Sequence, residues 1–304
     1  MWEPDPSWRP LAGGPGSDGL WQVERGGRSW VVKRLHRPDA ERPWLLRPDH
    51  AGYWRREADL AAHPEFVTGP GLVPAAFGPV EEDDDGATVW TEEVLGEPPP
   101  GLFVARALGR FAAGQYDAPT WASRRLLADR LEMAAQRGGW PTLARTTLAD
   151  VTDHLWQRRG HWLARLDRGP QGRLHGDAVP GNLVARRGDD VVAVDWQCAG
   201  VGPVGTDVGY YALSAREDFG VLLEGFLAAF EQEGGGLDQE ARKDVEVAAR
   251  VTAVYSVISR AEWALARVAP GEGALAGKYR HPAVAPHLRA VERQFPQIES
   301  LLGP

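Results

Sequence analysis

Two periodicities divide the chain. Apolar and polar residues alternate from Leu20 to Glu24, the turn Arg25-Gly26-Gly27-Arg28 follows, and Ser29 to Leu35 is a second β-rich run. Two glycines between such runs predict a tight hairpin. A glycine-rich loop, Leu11 to Gly19, precedes it; a Pro- and Arg-bearing insertion, Arg37 to Asp49, separates it from a helix predicted at Tyr53 to Ala62. Leu72 to Phe77 and Thr88 to Val94 read as strands, and the acidic run Glu81 to Gly86 between them reads as a solvated turn. Beyond the break at Leu95-Gly96-Glu97-Pro98-Pro99-Pro100-Gly101 the period becomes helical, over Phe103 to Phe111, Trp121 to Gln136 and Leu148 to Leu166. A β patch interrupts at Leu183 to Trp196, and helices resume from Val208. The pattern predicts an α+β fold in two lobes. Residues 1–95 form a small antiparallel-sheet lobe with one main helix, and residues 96–304 a larger, mostly helical one.

Composition narrows the function classes. Of 304 residues, 43% are hydrophobic and 25% charged, which fits a folded globular protein and excludes global disorder. A formal charge of −8 argues against a basic nucleic-acid binder. The single cysteine, Cys198, excludes an intrachain disulfide and a Cys-rich zinc site. The start Met1-Trp2-Glu3-Pro4-Asp5-Pro6 has neither a basic patch nor an apolar run, and Val245 to Val268 carries Arg250, Arg260 and Glu262. No membrane partner is therefore expected, and the expected location is cytoplasmic. Only Lys33, Lys243 and Lys278 interrupt an otherwise arginine-only basic set. Where arginine serves almost everywhere, Lys33 stands out for its compact charge.

The chemistry concentrates in Leu174-His175-Gly176-Asp177-Ala178-Val179-Pro180-Gly181-Asn182-Leu183-Val184 and Val191-Val192-Ala193-Val194-Asp195-Trp196. Two apolar runs around the polar turn 186–190 predict a second hairpin. Asn182 opens one arm and Asp195 closes the other, so both arrive at the same end of the ribbon. An amide oxygen and a carboxylate held there suit Mg²⁺ bridging phosphates. Asp177, five residues before Asn182, lies on the feeding loop, where a carboxylate can meet an attacking hydroxyl.

His-Gly-Asp-x-x-x-x-Asn at 175–182, with Asp195 at a strand end, resembles the aminoglycoside phosphotransferase and choline kinase superfamily of protein-kinase-like fold. The resemblance covers most of the chain. It implies ATP and Mg²⁺ as cofactors, with Asp177 as the catalytic carboxylate and Asn182 and Asp195 as metal ligands. Lys33 matches the phosphate-pairing lysine and Glu57 its helix partner. Glu92-Glu93-Val94-Leu95-Gly96 matches the hinge, so Glu93 and Leu95 are expected to offer backbone groups to adenine, and Ser17 is expected at the nucleotide. His175 is expected to brace the loop, and Asp207, in Gly205-Thr206-Asp207-Val208-Gly209, to hold it from a helix start. Two departures stand out: Asp195-Trp196-Gln197 replaces the usual Phe-Gly or Trp-Glu after the metal aspartate, and Gly14-Pro15-Gly16-Ser17-Asp18 replaces a Ser-Asn loop.

Other readings attach to neighbouring residues. Asp59 competes with Glu57, but positions two apart do not share a helix face; Arg55 and Arg56 read as helix-face charges. The resemblance implies a small hydroxylated acceptor: an aminoglycoside, a macrolide, an amino sugar or a choline-like alcohol, with antibiotic resistance as one role. Glu217, Asp218, Glu224, Glu231, Glu233, Asp238 and Glu262 would suit a cationic acceptor if they walled its pocket, although solvated helix faces explain them as well. Tyr210, Tyr211 and Trp263 could stack on an acceptor or fill the core. A kinase acting on Ser/Thr of a peptide and a silent nucleotide-binding module are the rival functions.

Overall fold

The computed structural model describes residues 2–12, 19–140, 147–268 and 281–302. Strands β2 (Gly19–Arg25) and β3 (Arg28–His36) form the first hairpin, with Arg25 opposite Arg28. Gly26 and Gly27 have φ of 62° and 75°. A two-residue turn whose twist matches the strands needs positive φ at both central positions, which glycine adopts without steric cost. With β1 (Arg9–Pro10), β5 (Phe77–Asp83) and β6 (Gly86–Glu92), they make an antiparallel sheet ordered β1-β2-β3-β6-β5. Lys33 sits on the central strand, opposite Leu20 and Val89. Alternation turns Val31 and Lys33 to one face and Val32 to the other. On that second face Val32 is buried with Val23 and Trp90 beneath Trp8, Trp21 and Trp30, and Trp8 meets Trp90 edge-on at 5.5 Å. The N-terminal tryptophans thus cover the sheet's outer face and leave the inner one for chemistry.

The first helix, α1 (Arg56–Ala62), starts three residues later than the apolar pattern predicts. The residues before it turn back on themselves, and Arg56 gathers them. Its guanidinium donates to the carbonyls of Trp121 (2.9 Å), Ala51 (2.9 Å), Gln197 (2.7 Å), Pro48 (3.0 Å) and His50 (2.6 Å). Arg56 is fully buried, so its reading as a helix-face charge is wrong. Burial lowers its pKa to about 10, which leaves it charged at neutral pH. Composition hid it, because arginine is too common here for one to stand out.

A second expectation also changes. The run from Leu72 to Phe77 is not one strand. β4 (Leu72–Pro74) pairs in parallel with β9 (Asp190–Ala193), whose other neighbour is β8 (Leu183–Arg187). Ala75 still donates to Ala193 (3.2 Å), whereas Ala76 accepts from Glu92 of the larger sheet (2.8 Å). The chain passes from one sheet to the other between these two alanines, which stitches the lobes together. β7 (Gln171–Leu174) and β10 (Gly200–Pro203) pair antiparallel. The loops 175–182 and 194–199 therefore hang from paired strands on both sides.

The rest is helical: α2 (Gly101–Ala113), α3 (Leu126–Gln136), α4 (Thr147–Gln157), α5 (Arg159–Leu166), α6 (Thr206–Tyr211), α7 (Phe219–Gln232), α8 (Gln239–Arg267), α9 (Ala285–Arg293) and α10 (Phe295–Leu302). The predicted helix from Trp121 begins only at Leu126, because Ser123 bonds like a strand residue. Its N–H donates to Ala199 (3.0 Å) and its carbonyl accepts from Val201 (2.8 Å). The stretch 148–166 divides into α4 and α5 at Arg158. Val245, Ala249, Val254 and Ile258 of α8 are fully buried and serve two core clusters. No helix of the described residues is long and apolar enough to cross a membrane.

Replacing Arg56 by Met leaves buried carbonyls from three chain segments without a donor. Lost charged hydrogen bonds of this kind cost about 3–5 kcal/mol. Urea unfolding should show that loss for Arg56→Met and nearly as much for Arg56→Lys, because an ammonium cannot span the fork.

Candidate active site

A cleft of about 640 Å³ opens between the five-stranded sheet and the β8–β9 ribbon, and Lys33, Glu57, Glu93, Asp177, Asn182 and Asp195 all line it. That volume lies within the range of small-molecule sites. Lys33 Nζ is 2.6 Å from Glu57 Oε2 and 2.8 Å from Asp195 Oδ1. Burial alone would lower the Lys33 ammonium, but the two carboxylates more than offset it and hold the pKa above its ordinary value. Helix α1 aims Glu57 inward. Asp59, two residues on, turns instead to Arg55 at 3.5 Å, as helical geometry requires.

Asp195 leaves β9 with φ 59° and ψ 62°, the only non-glycine residue at positive φ among those described. Aspartate tolerates this left-handed region better than most residues. Its side chain stays 42% exposed, with one oxygen on Lys33. Across the ribbon, the Asn182 carbonyl accepts from Val194 N–H at 2.9 Å, so Asn182 and Asp195 do reach the same end of the hairpin. Asn182 Nδ2 donates to Asp177 O and Asp177 Oδ2, each at 3.0 Å. Both partners are acceptors, which fixes the amide orientation and leaves Oδ1 for other company.

The loop bearing Asp177 is held from three sides. Asp207, at the start of α6, accepts from His175 N–H (2.7 Å) and Gly176 N–H (2.9 Å). Burial raises the Asp207 pKa, against the lowering from His175 and these two bonds. His175 Nε2 lies 3.0 Å from Val194 O, and His175 Nδ1 3.2 Å from Asp177 N. A carbonyl only accepts and an N–H only donates, so Nε2 carries the proton and Nδ1 is bare. The imidazole thereby ties the Asp177 loop to the strand that delivers Asp195, and its ring packs on Trp196 at 4.4 Å. Gly176 has φ 81°, and a Cβ there would meet Cys198 O at 2.3 Å. Glycine is required where a protein kinase carries arginine.

Two expected contacts change. Glu93 turns its carboxylate outward to Ser29 Oγ and Gln22 Nε2, each at 2.6 Å, which hold its pKa below the usual range. Its N–H is taken by Ser29 O (2.9 Å), so that N–H is already paired within the sheet. Leu95 is 83% exposed and does not line the cleft. Ser17 lies outside the described residues, though Leu11, Ala12 and Leu20 flank its loop at the cleft. The late-helix carboxylates do not wall this cleft. None of the seven lines it, and six have structural partners. Glu217 accepts from Gly101 N–H, Glu224 and Glu231 hold Arg242, Glu233 holds Arg110, Asp238 caps α8 and Glu262 is buried on Arg137.

One residue at the site escaped the sequence reading. Arg130 of α3 donates to Gly176 O at 2.8 Å and sits 3.8 Å from Asp177 Oδ1. A signal existed: Leu126, Leu127, Leu131 and Ala134 form the buried face of α3, and Arg130 occupies that same face. An arginine among core positions demands a partner, and here it is the loop bearing Asp177.

The donor set fits a hard divalent cation. Among the described residues no group of three or more His, Cys, Asp or Glu could enclose a metal alone. Asn182 Oδ1 and Asp195 supply two oxygens, the number expected where phosphate oxygens complete the shell.

A bilobal kinase-like fold with this cleft defines the class. Of solved structures, an amicoumacin kinase in complex with AMP-PNP, Ca²⁺ and Ami matches with TM-score 0.59 and 16% identity, over 98% of this chain and 92% of that one. A choline kinase from Cryptosporidium parvum matches with TM-score 0.59 and 11% identity, over 97% and 90%. An aminoglycoside phosphotransferase from Streptomyces rimosus, in complex with ADP and streptomycin, matches with TM-score 0.53 and 16% identity, over 82% and 94%. No curated protein matches the chain. The family model described as phosphotransferase enzyme family matches residues 7–243. The chain belongs to that family.

Asp207→Ala should leave two buried N–H groups unpaired, at about 2–4 kcal/mol. Hydrogen exchange should show faster opening of residues 175–177, with the α8–α9 core protected as in the parent.

Proposed function

We propose that the protein is an ATP- and Mg²⁺-dependent phosphotransferase that moves the γ-phosphate of ATP to a hydroxyl of a small molecule. The observation that carries this reading is the convergence of Lys33, Glu57, Asp177, Asn182 and Asp195 on one cleft. Family membership supports it, and the fold neighbours named for amicoumacin, choline and aminoglycoside kinases support a small acceptor. An enzyme that spends ATP in this way belongs in the cytoplasm.

Adenine would lie against Glu92, Glu93 and Val94, with Val31 and Ala75 as apolar walls. Lys33, kept charged by Glu57, would hold the α- and β-phosphates. Asn182 Oδ1 and Asp195 would hold Mg²⁺, which neutralises charge developing on the phosphates during transfer. Asp177, fixed by Asn182 and by the His175 bridge, would orient the acceptor hydroxyl. As the acceptor oxygen bonds to the γ-phosphorus, the bond to the bridging oxygen of ADP breaks, and the hydroxyl proton passes to Asp177. The transition state is loose, so positioning contributes more than basicity.

Two variants separate binding from chemistry. Asp177→Ala should lower kcat by about 10³-fold or more while Mg·ATP still raises Tm. Asp195→Ala should lose both turnover and that rise. ADP release over a panel of hydroxyl acceptors, beside Tm against Mg·ATP concentration, measures the pair. Turnover close to the parent's in either variant would end the assignment.

A further inference from the structure

The surroundings of Asp177 toward α3 and α8 carry positive charge. Arg130 lies 3.8 Å from the Asp177 carboxylate and 4.9 Å over the Tyr210 ring. Arg260 of α8 lies 4.5 Å over that same ring and hydrogen-bonds its hydroxyl. Burial raises the Tyr210 phenol, with Asp177 adding to the rise and the two guanidiniums opposing it. The phenol is therefore neutral at physiological pH and cancels neither arginine. His287 of α9 is held below its ordinary pKa by burial and by the Arg260 charge, which places it on the same wall.

Countercharge for this wall is scarce. Among the described residues Arg130 has only Asp177 as a carboxylate neighbour, and its other polar partners are Gly176 O and Cys198 Sγ. Arg260 makes no ion pair among the described residues. Glu262, two positions along α8, is buried on Arg137 instead. Among the described residues, none of the seven late-helix carboxylates forms an ion pair with Arg130 or Arg260 or acts on Tyr210, whose charged neighbours are Arg130, Arg260 and Asp177. A polycationic acceptor approaching Asp177 would meet like charge, whereas an anion would find an unpaired planar fork beside a neutral phenol donor.

Building on the phosphotransferase reading, we propose that the acceptor is a hydroxylated small molecule bearing an anionic group, a carboxylate or a phosphate monoester. Arg260 and Tyr210 bind that group. The anion anchors the molecule while its hydroxyl reaches Asp177 and takes the γ-phosphoryl group from ATP, with ADP as leaving group. Arg260 determines specificity, and Arg130 positions the Asp177 loop.

The test compares acceptors of one skeleton and different charge: gluconate and glucose 6-phosphate against glucose and glucosamine, with choline and kanamycin as further cations. ADP release is read beside the Tm rise with Mg·ATP. The expected result is kcat/KM at least tenfold higher for an anionic member, with gluconate and glucose 6-phosphate separating carboxylate from phosphate recognition. In Arg260→Gln that preference should fall about tenfold through KM, with the Mg·ATP shift intact, and Arg260→Lys should restore part of it. Preference for a cation, equal rates for charged and neutral members, failure of both anions to be phosphorylated, or an Arg260→Gln variant that keeps the parent's preference would each overturn the proposal. Any of these alongside an intact Mg·ATP shift leaves the phosphotransferase reading standing; loss of that shift in the parent protein is what would sink the reading itself.

Discussion

One buried ammonium organises the cleft. Lys33 meets Glu57 and Asp195 within 2.8 Å, and each of the three comes from a different element: the central strand β3, the helix α1 and the segment leaving β9. Three charges at partial burial are stable only as a set, because removing one partner strands the others in a poor solvent, typically at about 3–5 kcal/mol. The set therefore fixes how the small lobe sits over the β8–β9 ribbon. It also explains why lysine survives at position 33 in a chain that otherwise prefers arginine. Two carboxylates converging from different directions suit a compact ammonium better than a planar fork.

Arg56 is the mirror case, one residue before Glu57, the partner of Lys33, on α1. Glu57 faces the cleft. Arg56 faces the opposite way and collects carbonyls from 48–51, 121 and 197. A planar five-donor group is suited to that task, since each bond points in a fixed direction. Gln197 belongs to the turn that follows Asp195, so the helix grips the metal-side segment twice, through Glu57 with Lys33 and through Arg56. The inter-sheet passage at Ala75 and Ala76 adds a third tie. The cleft is thus built by backbone and charge together, with the apolar core of α8 as its distant support.

Much of this was legible in the order of residues. Both hairpins follow from alternation plus glycine, and Asn182 and Asp195 meet because antiparallel pairing places the two ends of a ribbon side by side. Glu57 was separable from Asp59 by helical geometry alone. What escaped were long-range uses of common residue types. Arg56 looked like any surface arginine, since its partners are carbonyls, which leave no mark in side-chain identity. Ser123 looked helical because its strand-like bonds go to 199 and 201, far along the chain. The expected hinge lies at the cleft through Glu92, Glu93 and Val94, but which of its backbone groups are already taken depends on Ser29 across the sheet.

The acceptor side shows the same limit more sharply, because composition does not say which carboxylates are already partnered. A net charge of −8 and seven acidic residues in the late helices suggest an acidic pocket. Charge acts through its surroundings rather than its sum: a carboxylate with an arginine or a helix N–H as partner presents little field to a ligand. Pairing removes Glu217, Glu224, Glu231, Glu233, Asp238 and Glu262 from that role, while Arg260 keeps its charge over an aromatic face. An aromatic ring attracts a cation without neutralising it. Around Tyr210, on the α3 and α8 side of Asp177, the charged neighbours are thus mostly basic in a protein that is acidic overall.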